Sequence, residues 1–454
     1  MTRHDLAMEF KETAKIAFPS ALTELGQVMM VTTDLVFIAH ISVEAVAAAA
    51  LAGRVYFIGF SFGMGLTSAV APLVAQAFGA DNRAMVQRSL RVGLWAALLL
   101  SLPIVSFLLC CEQILLALGQ PPEPVRLAQQ CLFGLAWGVL PALWFRALRG
   151  FMAALNRTAP VLWITLVAVP VNALLVYIFG TGKFGLPRLE LVGAGLATSA
   201  VNCAMFLAAL WFTTSRLPFR EYHVLANLWR FDLPSMQQLI VIGLPHSMAL
   251  LMEYGVSSAG TLLMGLIGTT ALAANQVASQ VATILFKIPI GIGIAATVRV
   301  GHAVGRNDGP GIRRAGHVAI LFGIVIVAIL TIALLAARLP VTEFVFGATV
   351  EETDGTVELA AKLLVVGASC FITEAIQTIA LASLRGLSDT RVPLLFASLS
   401  YWPIGFSISY VLGMKIGFGA IGVWIGWSIG SAVYAMLLVL RFQVLASRLA
   451  HEER

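Results

Sequence analysis

The sequence predicts an all-α polytopic membrane protein with twelve transmembrane helices in two six-helix lobes. Three observations carry that prediction: the composition, a succession of long apolar runs, and an internal repeat. Of 454 residues, 59% are hydrophobic and 11% charged, with a mean hydropathy of +0.90. Soluble domains are roughly 45–50% apolar and about 25% charged, so most of this surface is built for lipid. A run of about 20 apolar residues crosses a hydrocarbon core near 30 Å. Such runs fall at 16–40, 46–77, 90–110, 128–149, 160–180, 191–213, 238–266, 271–303, 315–337, 358–384, 392–413 and 420–442. A membrane β-barrel would show short segments of alternating polarity instead of continuous apolar runs, so helices are expected.

The opening stretch MTRHDLAMEFKETAK lacks a short apolar core followed by a small-residue cleavage site and is expected to stay on the protein. Of 29 Lys and Arg, 21 fall on the N-terminal side of the predicted topology. Arg54 and Lys287 lie near the second and eighth spans, and only Arg126, Lys183, Arg188, Arg338, Lys362 and Lys415 fall on the other side, which places both termini in the cytoplasm of a cytoplasmic (inner) membrane protein. The net charge of +6 then follows from topology and calls for no nucleic-acid partner. Cys110, Cys111, Cys131, Cys203 and Cys370 show no metal-like spacing and read as small buried residues.

The repeat appears when the chain is slid along itself until Ile16 falls on Ile242. In that first register IAFPS (Ile16–Ser20) meets IGLPH (Ile242–His246), and VAQAFGADN (Val74–Asn82) meets VGHAVGRND (Val300–Asp308). A second register, with Phe151 on Leu384, aligns FMAALNRTAP (Phe151–Pro160) with LRGLSDTRVP (Leu384–Pro393) and places Pro170, Tyr177 and Gly180 on Pro403, Tyr410 and Gly413. Six spans per copy is an even number, so the copies enter from the same side and the repeat is parallel. The expected organisation is an N-lobe at 1–213, a cytoplasmic linker at 214–235 and a C-lobe at 236–454. Such duplications are a transporter layout, in which the substrate site lies between halves that rock about it.

Acidic residues locate the chemistry. Of 23 Asp and Glu, those well inside predicted spans are Glu24 and Asp34 in the first, Glu253 in the seventh and Glu374 in the tenth. Each costs about 2.5–3.5 kcal/mol at a helix centre, so each is expected to face the protein interior or a wet cavity. No Lys or Arg in a neighbouring span stands out as a neutralising partner for all four, which suits binding of protons, sodium or a cationic substrate. The structural alternative for Asp34 is satisfaction by Thr32 and Thr33. Glu24, nearer the cytoplasmic end, has the alternatives of snorkelling or pairing locally. Glu253 and Glu374 stand where the first repeat has Gln27 and Pro141, so the halves are expected to differ in role.

Several ordered stretches carry a family resemblance: MVTTDLVFIAHIS, GLPHSMALLMEYGVSSAGTLLMGLIGTTALAANQVA, the paired VAQAFGADN and VGHAVGRND, and EAIQTIALASLRGLSDT. Over its whole length the chain resembles the MATE (multidrug and toxic compound extrusion) antiporters, NorM-type branch. The resemblance implies a V-shaped twelve-helix transporter that expels organic cations, driven by inward flow of sodium ions or protons. It puts Asp34 at the N-lobe acid, with Asn172 and Thr198 as its companions, and Glu253 and Glu374 at the seventh- and tenth-helix acids. Gln276 and Gln377 are polar neighbours, with interhelical hydrogen bonding as their alternative. The chain departs from the pattern at Ala168, Asn172, Cys370 and Glu374, which thins the oxygen ligands a sodium ion needs. The coupling ion stays open between proton and sodium, with sodium at Asp34 or at Glu253 and Glu374. No other metal and no cofactor is expected; the partners are the bilayer and organic cations, and the chain is expected to be a monomer.

A lipid or lipid-linked precursor flippase of related architecture is the alternative, but it would carry more Arg and Lys in its cavity to hold pyrophosphate. A channel needs a pore-lining ring, which two diverged halves do not offer. An enzyme needs a catalytic cluster, and the seven histidines show no HExxH spacing, nor is there a GxSxG or phosphate-binding loop.

Overall fold

Proline, glycine and capping residues divide the apolar chain into helices that are mostly longer than the runs that forecast them. The computed structural model describes residues 3–117, 119–182, 188–346 and 355–451. Lys183 and Arg454, which contribute to the charge asymmetry, lie outside them. The helices are α1 Arg3–Ala39, α2 Val43–Ser68, α3 Val70–Gly79, α4 Arg83–Leu109, α5 Cys111–Ala117, α6 Pro122–Ala136, α7 Val139–Ala154, α8 Ala159–Thr181 and α9 Glu190–Ser215. They continue as α10 Leu233–Ile267, α11 Thr269–Gly305, α12 Gly309–Ala336, α13 Arg338–Phe346, α14 Thr356–Gly386, α15 Arg391–Leu399, α16 Ser407–Tyr410 and α17 Gly419–His451.

Among the described residues eleven helices are long and apolar enough to cross a membrane, and α6 with α7 makes a twelfth, bent by 49°. All twelve expected spans are therefore present in order. The bend at Trp137 and Gly138 is not visible as a break in the apolar run. Gly138 lies where an added Cβ would meet the Cα of Ser199 on α9 at 2.8 Å, so close helix packing selects glycine there. Pro403 removes a backbone donor in the eleventh span, and the chain there adopts π-helical turns over Ser400–Phe406 and Val411–Lys415.

The repeat is written into the caps. Asn82 accepts the Met85 N–H at 3.0 Å and Asp308 accepts the Gly311 N–H at 2.8 Å, both with φ −97° and ψ 84°. The first register places Asn82 on Asp308, so the same side-chain cap starts α4 and α12. The turns after α7 and α14 correct the second register. Asn156 and Ser388 both take positive φ, and the N–H groups of Arg157 and Asp389 bond the carbonyls of Met152 and Leu384. The structure therefore pairs Asn156 with Ser388, whereas the sequence alignment pairs it with the next residue, Asp389, because turn geometry rather than residue identity sets the register.

The residues fall into two compact units, one of Leu22–Ser247 and one of the described residues of Met1–Ala21 and Met248–Arg454. The division differs from the expected lobe boundaries at 213 and 236 in a symmetric way. Ala21 and Ser247, where the units change, fall on each other in the first register. Small residues explain it. In the first unit Ser247 donates its hydroxyl to the Phe62 carbonyl at 3.0 Å, and a Cβ on Gly65 would meet the Ser247 backbone. In the second unit Gly291, the repeat mate of Gly65, holds the same position against the backbone of Ala21. Ion pairs fasten the same segments: Arg299 on α11 grips Glu9 on α1 with two 2.8 Å bonds, and Arg88 on α4 pairs with Asp232.

Candidate functional site

In the Leu22–Ser247 unit, the last turns of α1 bring Asp34 against α8 and α9. Asn172, buried on α8, donates its Nδ2–H to Asp34 Oδ1 at 2.5 Å. Thr198 on α9 lies with its hydroxyl 3.0 Å from Asp34 Oδ2 and 3.1 Å from the Ala194 carbonyl, so its single proton chooses between them. Asn172 Oδ1 is buried with no hydrogen-bond partner among the described residues, an acceptor left over beside the carboxylate. The expected alternative, satisfaction by neighbouring hydroxyls, does not hold. Thr33 bonds back to the Met29 carbonyl of its own helix, and Thr32 is exposed. Ala168 is buried on the same helix as Asn172 and adds no oxygen.

Glu24 has a different setting. It is buried and forms an ion pair with Arg149 on α7, with Arg146 within electrostatic reach. Of the alternatives weighed from the sequence, pairing is the one the structure shows, with a partner on another helix far along the chain rather than a local one. Arg149 reads in the sequence as part of a cytoplasmic segment, which hides the pair.

The other unit holds a second polar cluster. Glu374 on α14, 3% exposed, accepts the indole N–H of Trp427 on α17 at its Oε1, 2.6 Å away. Its Oε2 is buried and has no hydrogen-bond partner among the described residues. Gln377, one turn on, donates to the Tyr401 hydroxyl at 2.5 Å and accepts from the Ser431 hydroxyl at 3.2 Å. Tyr401 stacks on Trp427 with ring centroids 5.9 Å apart and meets Tyr434 edge-on at 5.3 Å. Glu253 on α10 is partly buried and within electrostatic reach of Glu374, Tyr401 and Tyr434. Gln276 is exposed on α11, whereas its neighbour Asn275 is buried and accepts the Trp424 indole N–H at 2.9 Å.

The structure thus joins Asp34, Asn172 and Thr198 in one cluster and Glu253, Glu374 and Gln377 in another, and leaves Gln276 outside both. Among the described residues, none of Asp34, Glu253 and Glu374 has a salt-bridge partner, while Glu24 has. Sequence reasoning missed Trp427, Tyr401 and Ser431. Ser431 was readable, since the second register places Thr198 on it. Tyr401 and Trp427 showed only as aromatic residues within spans, and their polar ends are identified by what they touch.

A family model described as MatE matches residues 19–178 and again 245–411. The chain belongs to the MatE family. The two MatE matches start in the first register of the internal repeat, 19 on 245, and end in the second, 178 on 411. Asp34 and Asn172 lie in the first match, and Glu253, Glu374, Gln377 and Tyr401 in the second. Thr198, Trp427 and Ser431 lie beyond them. The chain is 55% identical to a probable multidrug resistance protein NorM of Bradyrhizobium diazoefficiens, over 98% of this chain and 96% of that one. It is 51% identical to a like-named protein of Rhodopseudomonas palustris, over 96% and 91%. Its fold is similar to a MATE crystal structure in the bent conformation, with TM-score 0.87, 17% identity and coverage of 100% and 99%. It is likewise similar to the eukaryotic MATE transporter AtDTX14, with TM-score 0.85, 20% identity and coverage of 98% and 99%.

Proposed function

We propose that this multi-pass protein is a cation-coupled antiporter of the cytoplasmic membrane, exporting organic cations, drugs and toxic compounds, with both termini in the cytoplasm. The observation that carries the reading is the pair of carboxylate clusters inside membrane helices, neither neutralised by an arginine or lysine among the described residues. An intramembrane carboxylate is costly, and one without a basic partner is matched to a cation. The relatives' names as multidrug resistance proteins support the substrate class. Transport without chemical conversion, by a monomer, completes the reading.

The coupling ion is the proton. Sodium favours a cage of several oxygens, but Glu374 gives one carboxylate oxygen to an indole N–H and has only its other, buried oxygen without a hydrogen-bond partner among the described residues. One free oxygen is enough for a proton. At Asp34 both oxygens lie within hydrogen-bond distance of donors, so the group is poised as an acceptor that a proton or an organic cation can claim, but not both. A proton arriving from outside displaces the exported cation, and loss of that proton to the cytoplasm resets the carboxylate.

Expression in a bacterium stripped of its own efflux pumps tests the reading. Cells carrying the chain are expected to accumulate less of a fluorescent organic cation than cells with an empty vector. Equal accumulation at verified membrane expression would remove the function.

A further inference from the structure

The segment joining the two repeats is an ordered strap, bolted to the start of α4. Gln87 donates to the His223 carbonyl at 2.9 Å, Trp95 donates its indole N–H to the Leu228 carbonyl at 2.7 Å, and Arg91 reaches the Asn227 carbonyl at 3.4 Å. The strap leaves α9 at Ser215 and enters α10 at Leu233, so both its ends sit where membrane helices end.

Charge on this patch does not balance. The strap's two acids are taken: Glu221 pairs with Arg83 at 3.2 Å, and Asp232 pairs with Arg88. Arg91, Arg216, Arg220 and Arg230 are left with no ion pair among the described residues. Arg88 and Arg230 each lie within electrostatic reach of Arg91, and the Nε of Arg91 is buried with no hydrogen-bond partner among the described residues. Like-charged guanidiniums brought together by a fixed scaffold are relieved by an anion, and a planar fork of donors suits phosphate. Trp229, next to Arg230 in the chain, is 91% exposed, and Leu217, next to Arg216, is 72% exposed. A bare indole next to arginines at a helix end is the arrangement of an interfacial anchor.

We propose that the strap and the start of α4 form a binding site for the headgroup of an anionic phospholipid, with Arg91 and Arg230 holding its phosphate and Trp229 seated in the interface. A free phosphate would satisfy the guanidiniums but leave Trp229 and Leu217 in water, so the lipid is the occupant. The site uses none of the residues of the two carboxylate clusters and does not depend on what they transport.

The test is native mass spectrometry of the delipidated full chain titrated with phosphatidylglycerol or phosphatidylcholine. The unaltered protein is expected to retain phosphatidylglycerol preferentially, and excess inorganic phosphate is expected to leave it bound. Arg230→Gln, on the exposed strap, is expected to weaken phosphatidylglycerol binding about fivefold, with a further loss of similar size on adding Arg91→Gln and no change for phosphatidylcholine. Trp229→Ala is expected to weaken binding with every charge retained, and Arg230→Lys to keep most of it. Equal retention of the two lipids, indifference to Arg230→Gln in a variant that melts normally, or displacement by inorganic phosphate overturns the proposal, the last by showing a free-anion site.

Discussion

Asn172 donates its amide N–H to Asp34 across 2.5 Å, joining α8 to α1 through the only acid that the first unit's cluster contains among the described residues. The bond holds one carboxylate oxygen in place without neutralising the group. Asp34→Asn preserves size and hydrogen-bonding capacity but removes the charge. It is expected to abolish coupled efflux while the protein still inserts and folds, checked by transport at equal expression. Normal efflux in that variant would sink the assignment.

Glu253 and Glu374 act as one unit if the second cluster is a single site. Glu253→Gln and Glu374→Gln are each expected to lower export, and the double variant to lose little more than the worse single, since groups that serve one step are non-additive. Initial efflux rates from the three variants decide it. Losses that multiply fully would mean two separate sites.

Glu24 is a structural residue on this account. Removing one partner of a buried ion pair leaves the other uncompensated, at a cost of about 3–5 kcal/mol. Glu24→Gln is expected to lower the Tm markedly, and Glu24→Gln with Arg149→Met to recover part of the loss. An unchanged Tm in the single variant would return Glu24 to the list of ion-binding candidates.

The symmetric change of unit at Ala21 and Ser247 rests on glycines at equivalent positions. Gly65→Ala and Gly291→Ala both place a methyl against backbone, which cannot yield as a flexible side chain can. Both are expected to reduce folded yield in membranes by a similar factor, read by fluorescence-detected size exclusion. Gly260→Ala, where no heavy atom lies within 4 Å of the added methyl, serves as the control and is expected to be silent.

Much of this was legible in the chain. The twelve spans follow from hydropathy, and the repeat from stretches such as VAQAFGADN and VGHAVGRND, whose last positions are turn and cap residues with fixed geometry. Asp34 and Glu374 announced themselves because a carboxylate in an apolar run has a cost that must be met. What stayed hidden depends on which helices touch. The Glu24 partner, Arg149, is far along the sequence and sits near a span's end, where arginine is unremarked. Trp427 became a site residue only when α17 brought its N–H to Glu374, and the 49° bend between α6 and α7 falls at a close approach to α9 that no local pattern records.

The central claim is that proton movement through these carboxylates drives cation export. Proteoliposomes with a pH difference and a sodium difference imposed separately test it most directly. The account predicts organic-cation transport that follows the pH step with sodium absent and is lost in Asp34→Asn. Transport that requires sodium and ignores the pH step would contradict it.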